Sequence, residues 1–182
     1  IVTATHETVG LGDAAGRIIA GDLIAPTNLP ASNNAAVDGY AVDAAFLARQ
    51  PDHAFQVIGR AAAGHPFGGA VPSGAAVRIF TGAVMPAGTD AVAMHEFCRP
   101  SKDSAHVQID SKLTPGSNNR PAGENLRQGE VIIAAGTRLD AADTGIAAAA
   151  GFAQLTLFRQ PVVGLLSMGD ELVEAGGDCL LY

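Results

Sequence analysis

The chain has no tryptophan and only two cysteines, Cys98 and Cys179, in 182 residues. Neither cysteine stands in a CxxC pair or at Cys/His metal spacing, so the sequence gives no basis for a zinc site or a disulfide framework. A reducing cytoplasm is the simpler setting for such a chain. Charge is scarce at 16% of residues, and positive charge is scarcer, with 11 Lys and Arg against 18 Asp and Glu. Residues 1–91 hold four basic and seven acidic side chains, so neither half is a basic arm. A net charge of −7 argues against a nucleic-acid surface or an anionic membrane as partner. No apolar run approaches the length that spans a bilayer, and no signal peptide is visible. The five histidines (His6, His53, His65, His95, His106) share no spacing, and neither a Ser/His/Asp nor a Cys/His nucleophile set is apparent. A phosphate-loop signature is also missing.

What the chain does have is small apolar residues and turns. Hydrophobic residues make up 48%, and the 22 Gly and 10 Pro outnumber the seven Phe and two Tyr. That balance predicts an α+β, β-rich globular protein. Residues 7–24 carry Leu11, Ala14, Ala15, Ile18 and Ile19 on one helical face and predict a short helix entering a strand. From 54 to 134 short apolar runs at 55–61, 76–80, 91–94, 105–109 and 130–134 alternate with Gly/Pro/Asn-rich separators, the rhythm of a small β-barrel or sandwich. Asp140 and Asp143 cap a helix over the alanine run, and Gly151 suits its end. Residues 154–158 and 162–166 read as strands, the second continuously apolar like a buried parallel strand.

Four segments place polar residues in glycine turns at strand ends, where hard cations and oxyanions are bound. In residues 33–41, Asp38 follows Asn33 and Asn34 and precedes Gly39. It is either a plain Asx turn or a carboxylate offered to Mg²⁺. Thr81-Gly82-Ala83 is either a hairpin connection or a hydroxyl beside a close backbone approach for an anion. Residues 119–125 are either a solvated loop or a site in which Arg120 meets an oxyanion and Glu124 or Asn125 accepts. Ser167-Met168-Gly169-Asp170-Glu171-Leu172 sets two adjacent acids at the end of an apolar strand, where α/β sheets bind ligands.

In order and content these segments resemble the molybdopterin molybdotransferase (MoeA-type) family, which includes the gephyrin E domain. The resemblance rests on LGDAAGRIIAGDLIAPTNLPASNNAAVDGYAV, RIFTGAVMPAGTDAVAMHE, GENLRQGEVIIAAGTRL and LLSMGDEL, and covers residues 7–172. It implies a mixed α/β domain made of residues 1–23 and 130–161, an inserted β-barrel or sandwich-like domain at 24–129, and the first strand of a truncated molybdopterin-binding α/β domain at 162–182. It further implies a cytoplasmic homodimer that inserts molybdate into adenylylated molybdopterin with Mg²⁺ and releases AMP. By motif match, Asp38, Thr81 and Glu171 are the expected catalytic residues. Asp38, Asp170 and Glu171 are the expected metal ligands, and Asn34, Gly82, Arg120, Glu124, Asn125 and Ser167 the expected substrate contacts. The chain departs from the family pattern in having Gly-Glu-Asn at 123–125 where the family commonly has Gly-Glu-Asp. It also lacks most of the helix before Glu7 and stops soon after Leu172. Because it starts at Ile1 without Met and ends early, it is expected to be a fragment that is inactive alone. A non-catalytic scaffold that dimerises or binds a partner through the same fold is the competing expectation.

Overall fold

The computed structural model describes residues 5–170 and 172–177. Of the short helix entering a strand expected over 7–24, the strand is present at Leu23–Ile24, but the helix is not formed. Strand β1 (His6–Gly10) pairs antiparallel with a strand near the other end, Gln154–Phe158, in a register that runs from His6–Phe158 to Gly10–Gln154. One 3-10 turn at Leu11–Asp13 follows, and Gly16 at φ +80° cannot continue a right-handed helix. The apolar residues still reach a core, with Ala14 and Ile19 buried. Pairing across the molecule has outweighed a weak local preference already diluted by glycine.

The next strands are β2 (Leu23–Ile24), β3 (Asn34–Ala35) and β4 (Gly39–Val42). A six-residue helix, α1 (Ala44–Arg49), comes next, for which the sequence offers no obvious periodicity. It exists because two carboxylates cap it: Asp43 Oδ1 accepts from the Phe46 amide at 3.0 Å and Asp90 Oδ1 from the Ala44 amide at 2.9 Å. Then come β5 (Phe55–Ala61), β6 (Ala75–Ile79), β7 (Ala91–Met94), β8 (Cys98–Pro100), β9 (His106–Ile109), β10 (Asn119–Arg120) and β11 (Val131–Ile133). Helix α2 (Ala141–Ala149) and β12 (Gln154–Phe158) complete the elements.

Six strands form one mixed sheet in the order β7-β4-β6-β5-β9-β8, in which only β5 and β6 run parallel. The order leaves β7 and β8 as edges, so among the described residues this sheet, expected to be part of a barrel or sandwich, is open and does not close into a barrel. Strand alternation sends side chains to opposite faces. Ala41, Val77, Ile79 and Val92 pack on one with Ala35, Val71 and Ala83. Tyr40, Val42, Phe55, Ala76, Ala93 and Val107 pack on the other, where Leu47 of α1 covers them. A separate cluster joins Ala14, Ile19, Leu23, Ile133, Leu139, Ala147, Leu155 and Leu157 around the β1–β12 and β2–β11 pairs.

Helix α2 begins as its sequence predicts. Asp140 Oδ1 accepts from the Asp143 amide, and Asp143 Oδ2 accepts from the Asp140 amide, both at 2.9 Å. It ends with Gly151 at φ +94°, while the amides of Gly151 and Phe152 reach back to the Ala148 and Ala147 carbonyls. Asp140→Ala removes one half of this reciprocal cap and should cost about 1 kcal/mol in urea unfolding.

The strand expected at 162–166 is not formed. No strand is assigned there, and Val162 and Leu165 are 97% and 94% exposed. A parallel strand needs neighbours on its edges and cover on both faces, and among the described residues nothing supplies either.

Candidate functional site

Strand β3 draws three of the four glycine-turn segments together. On one side the Gly82 amide donates to the Ala35 carbonyl at 2.8 Å, the Ala35 amide to the Ala83 carbonyl at 2.9 Å, and the Met85 amide to the Asn33 carbonyl at 2.9 Å. On the other side β3 pairs antiparallel with β10, which sets Asn34 opposite Arg120. Asn33 Oδ1 extends this seam by accepting from the Ala122 amide at 2.8 Å. The asparagine-rich loop is thus a spacer whose backbone and side chains tie the Thr81 turn to the Arg120 loop.

Asp38 stands at the head of β4. Its Oδ1 accepts from the Thr81 amide at 2.8 Å and from Thr81 Oγ at 2.7 Å. The hydrogen bonds found for this carboxylate all fall on Oδ1, which leaves Oδ2 toward solvent. Bonds to the Thr81 amide, then to its hydroxyl, lower the Asp38 pKa below the ordinary carboxylate value, and the positive charges of Arg78 and His95 lower it further. Asp38 is therefore anionic at every physiological pH. Gly82 at φ +80° allows the turn that aims both Thr81 donors at one oxygen. The His95 amide donates to the Asp38 carbonyl at 3.0 Å, which fixes the turn from the β7 side.

A second set lies on the same seam. Arg120 Nε donates to Glu124 Oε2 at 2.6 Å and Arg120 Nη2 to Asn125 Oδ1 at 3.1 Å. Asn125 thus serves as a neutral acceptor for an arginine that Glu124 already pairs. Asn34 and Asn119 each bury a side-chain oxygen with no protein partner, and such an atom usually finds a ligand or water.

Ser167 and Asp170 lie in an exposed stretch without strand or helix, and no hydrogen bond joins them to the Asp38 turn. Glu171 lies outside the described residues, as does Cys179. Among the described residues no group of three or more His, Cys, Asp or Glu is placed to hold a metal ion. Cys98 is no nucleophile. Burial pushes its thiol up to about 11, and its Sγ donates to the Met94 carbonyl at 3.2 Å.

Sequence reasoning singled out Asp38, Thr81, Gly82 and Asn34 but passed over the side chains beside them. Arg78 Nη1 donates to the Gly39 carbonyl at 2.8 Å, and its guanidinium carbon lies 5.0 Å from the Tyr40 ring centre and 4.9 Å from that of Phe80. Arg60 lies over Phe80 at 4.6 Å. The signal was present in Arg78-Ile79-Phe80-Thr81, because strand period two puts Arg78 and Phe80 on one face just before the turn.

Comparisons with known proteins identify the family. Residues 1–151 match the model of the MoeA N-terminal region, described as its domains I and II. The chain is 41% identical over 170 residues to the molybdopterin molybdenumtransferase of Haemophilus influenzae, covering 93% of this chain and 41% of that protein. It is 33% identical over 172 residues to the enzyme of the same name from Bacillus subtilis, covering 92% of this chain and 40% of that one. The chain therefore spans about two fifths of the length of these relatives. In three dimensions it is similar to a crystal structure of the molybdopterin biosynthesis MoeA protein of Pyrococcus horikoshii, with a TM-score of 0.89 at 29% identity over 97% of this chain and 46% of that one. On these matches the chain belongs to the MoeA family.

Proposed function

We propose that this sequence forms part of a molybdenum cofactor biosynthetic transferase, one that inserts molybdate into adenylylated molybdopterin and releases AMP. The observation that carries the proposal is the Asp38–Thr81 contact. Two donors fix one carboxylate oxygen, the other faces solvent, and the group stays ionised beside Arg78. One anchored, exposed carboxylate oxygen suits Mg²⁺, which commonly takes one or two carboxylates and completes its shell with water and substrate phosphate. Asp38 would hold the ion, and Asp170 and Glu171 are its proposed further ligands. Bound there, Mg²⁺ would neutralise charge on the phosphate–phosphate link of the substrate.

This chain's own residues do the positioning. Thr81 orients Asp38, and Gly82 keeps the turn open to an anion. Asn34, whose buried side-chain oxygen lacks a protein partner, would be a further substrate contact. Arg120, Glu124 and Asn125 form a preassembled polar wall on the far side of β3, with Ser167 as a further proposed contact. Asp38 and Thr81 are exposed, and a reaction that must keep water from its intermediates needs a second wall. We assign that wall to an α/β domain begun by residues 162–182 and supplied by the other subunit of a cytoplasmic homodimer. Within each subunit, residues 1–23 and 130–161 would form one domain and residues 24–129 an inserted one.

The test is cofactor formation by a chain of the relatives' full length carrying this sequence, with and without Asp38→Asn. Loss of formation in a folded variant supports the transferase. Undiminished formation would overturn it in favour of a scaffold.

A further inference from the structure

We infer that Arg60 and Arg78, stacked on Phe80, form an anion subsite beside Asp38 that takes the diphosphate of a nucleotide-linked substrate. The proposed function supplies the identity of that substrate, whereas the subsite itself rests on the geometry.

Arg60 on β5 and Arg78 on β6 are register partners in the parallel pair, and Tyr40 on β4 is the partner of Arg78 on its other side. Like charges directly opposite one another weaken a ladder. A chain with eleven basic residues in 182 and a net charge of −7 nevertheless sets two of them side by side. The ring of Phe80 takes part of this load through its π face, with guanidinium carbons 4.6 and 4.9 Å from its centre. Neither arginine is in an ion pair among the described residues, where the three bridges are Arg17–Glu7, Arg99–Asp110 and Arg120–Glu124. Arg78 spends one donor on the Gly39 carbonyl, and among the described residues the Arg60 guanidinium donates no hydrogen bond. Each guanidinium carries five N–H donors in a planar fork suited to phosphate oxygens.

Asp38, Tyr40, Arg78, Phe80 and Arg60 share one face by strand alternation, since their neighbours Ala41, Val77, Ile79 and Ala61 pack on the other. Helix α1 covers that first face at its Phe55 end through Leu47, which leaves the arginine end to solvent. Arg78 is close enough to Asp38 to help depress its pKa. A carboxylate suited to a divalent cation thus adjoins two cations suited to phosphate oxygens, a pairing that matches a metal-carrying diphosphate. Arg120, which the sequence nominated for the anion, already has Glu124 and Asn125 on its fork. The geometry moves that role to Arg60 and Arg78.

The experiment titrates inorganic diphosphate, with Mg²⁺, into the isotope-labelled chain while the arginine Nε–Hε resonances are followed. The Arg60 and Arg78 signals should move together and saturate. Arg60→Gln, at an exposed position, should weaken binding about tenfold, the usual loss for one charged hydrogen-bonding group. Arg99→Gln, whose arginine pairs with Asp110 on the other edge of the sheet, should leave the affinity unchanged. Wild-type affinity in Arg60→Gln, or an equal loss in Arg99→Gln, overturns the subsite. If Arg60→Gln weakens diphosphate while Asp38→Asn still makes cofactor in the full-length chain, the subsite stands and the transferase reading falls. If Asp38→Asn is inactive while Arg60→Gln keeps both its diphosphate affinity and its KM, the subsite alone falls.

Discussion

Replacing Gly39 with alanine should cost about 3 kcal/mol or more and leave little soluble protein, because the added methyl would meet backbone. A Cβ built at Gly39 lies 1.8 Å from the Ala93 carbonyl oxygen and 2.8 Å from its carbon. Those atoms belong to β7, which pairs with β4 through Gly39–Met94 and Tyr40–Ala93. No rotamer can relieve such a contact. The two strands must part, taking with them the His95 amide bond to the Asp38 carbonyl. Gly21→Ala is the control, since nothing lies within 4 Å of its Cβ, and it should stay within about 0.5 kcal/mol of the parent. Urea midpoints for the two variants read the difference. The comparison also explains why glycine follows Asp38: it lets β4 approach β7 closely enough for the His95 amide to reach the Asp38 carbonyl.

The second large effect is on chemistry. Asp38→Asn keeps an acceptor oxygen for both Thr81 donors and removes only the charge, so the fold should survive with an unfolding midpoint close to the parent's. In a chain of full length, cofactor formation should fall on the order of 10²–10³-fold, the usual loss when one preorganised electrostatic group is removed. If the carboxylate helps bind a substrate-borne cation, raised Mg²⁺ should restore part of the rate in a variant that keeps the carboxylate but loosens it, such as Thr81→Val, and none in Asp38→Asn. An Asp38→Asn enzyme with the parent's rate would leave the Asp38–Thr81 contact a turn fastening and nothing more.

Much of this protein was legible where its signals are local. The strands Phe55–Ala61, Ala91–Met94 and Gln154–Phe158 fall where alternation and turns put them. The reciprocal Asp140–Asp143 cap was readable from four consecutive residues. What failed depends on distant partners. Residues 7–10 read as helix because nothing nearby discloses that β12, about 150 residues on, will pair with them. Helix α1 was missed because it is too short for periodicity and depends on Asp90 to cap it. At the site, the residues themselves left Asp38 open between a plain turn and a ligand; the family resemblance, not the spacing, joined it to Thr81. The Arg60–Arg78 pair was hidden by the irregularity between Val57 and Gly59, which shifts the register by one residue and brings the two cations opposite each other.

Thr81 holds Asp38 as an anion with one oxygen free, and the carboxyl carbon of Asp38 reports on this directly. Its NMR titration should give a midpoint below the ordinary carboxylate value, and Thr81→Val, which keeps the amide donor and loses the hydroxyl, should raise that midpoint part of the way back. A pKa lowered by folding stabilises the fold above the unfolded-state value, and that contribution is lost as pH falls through the folded one. A midpoint at the ordinary value in both proteins would contradict the account.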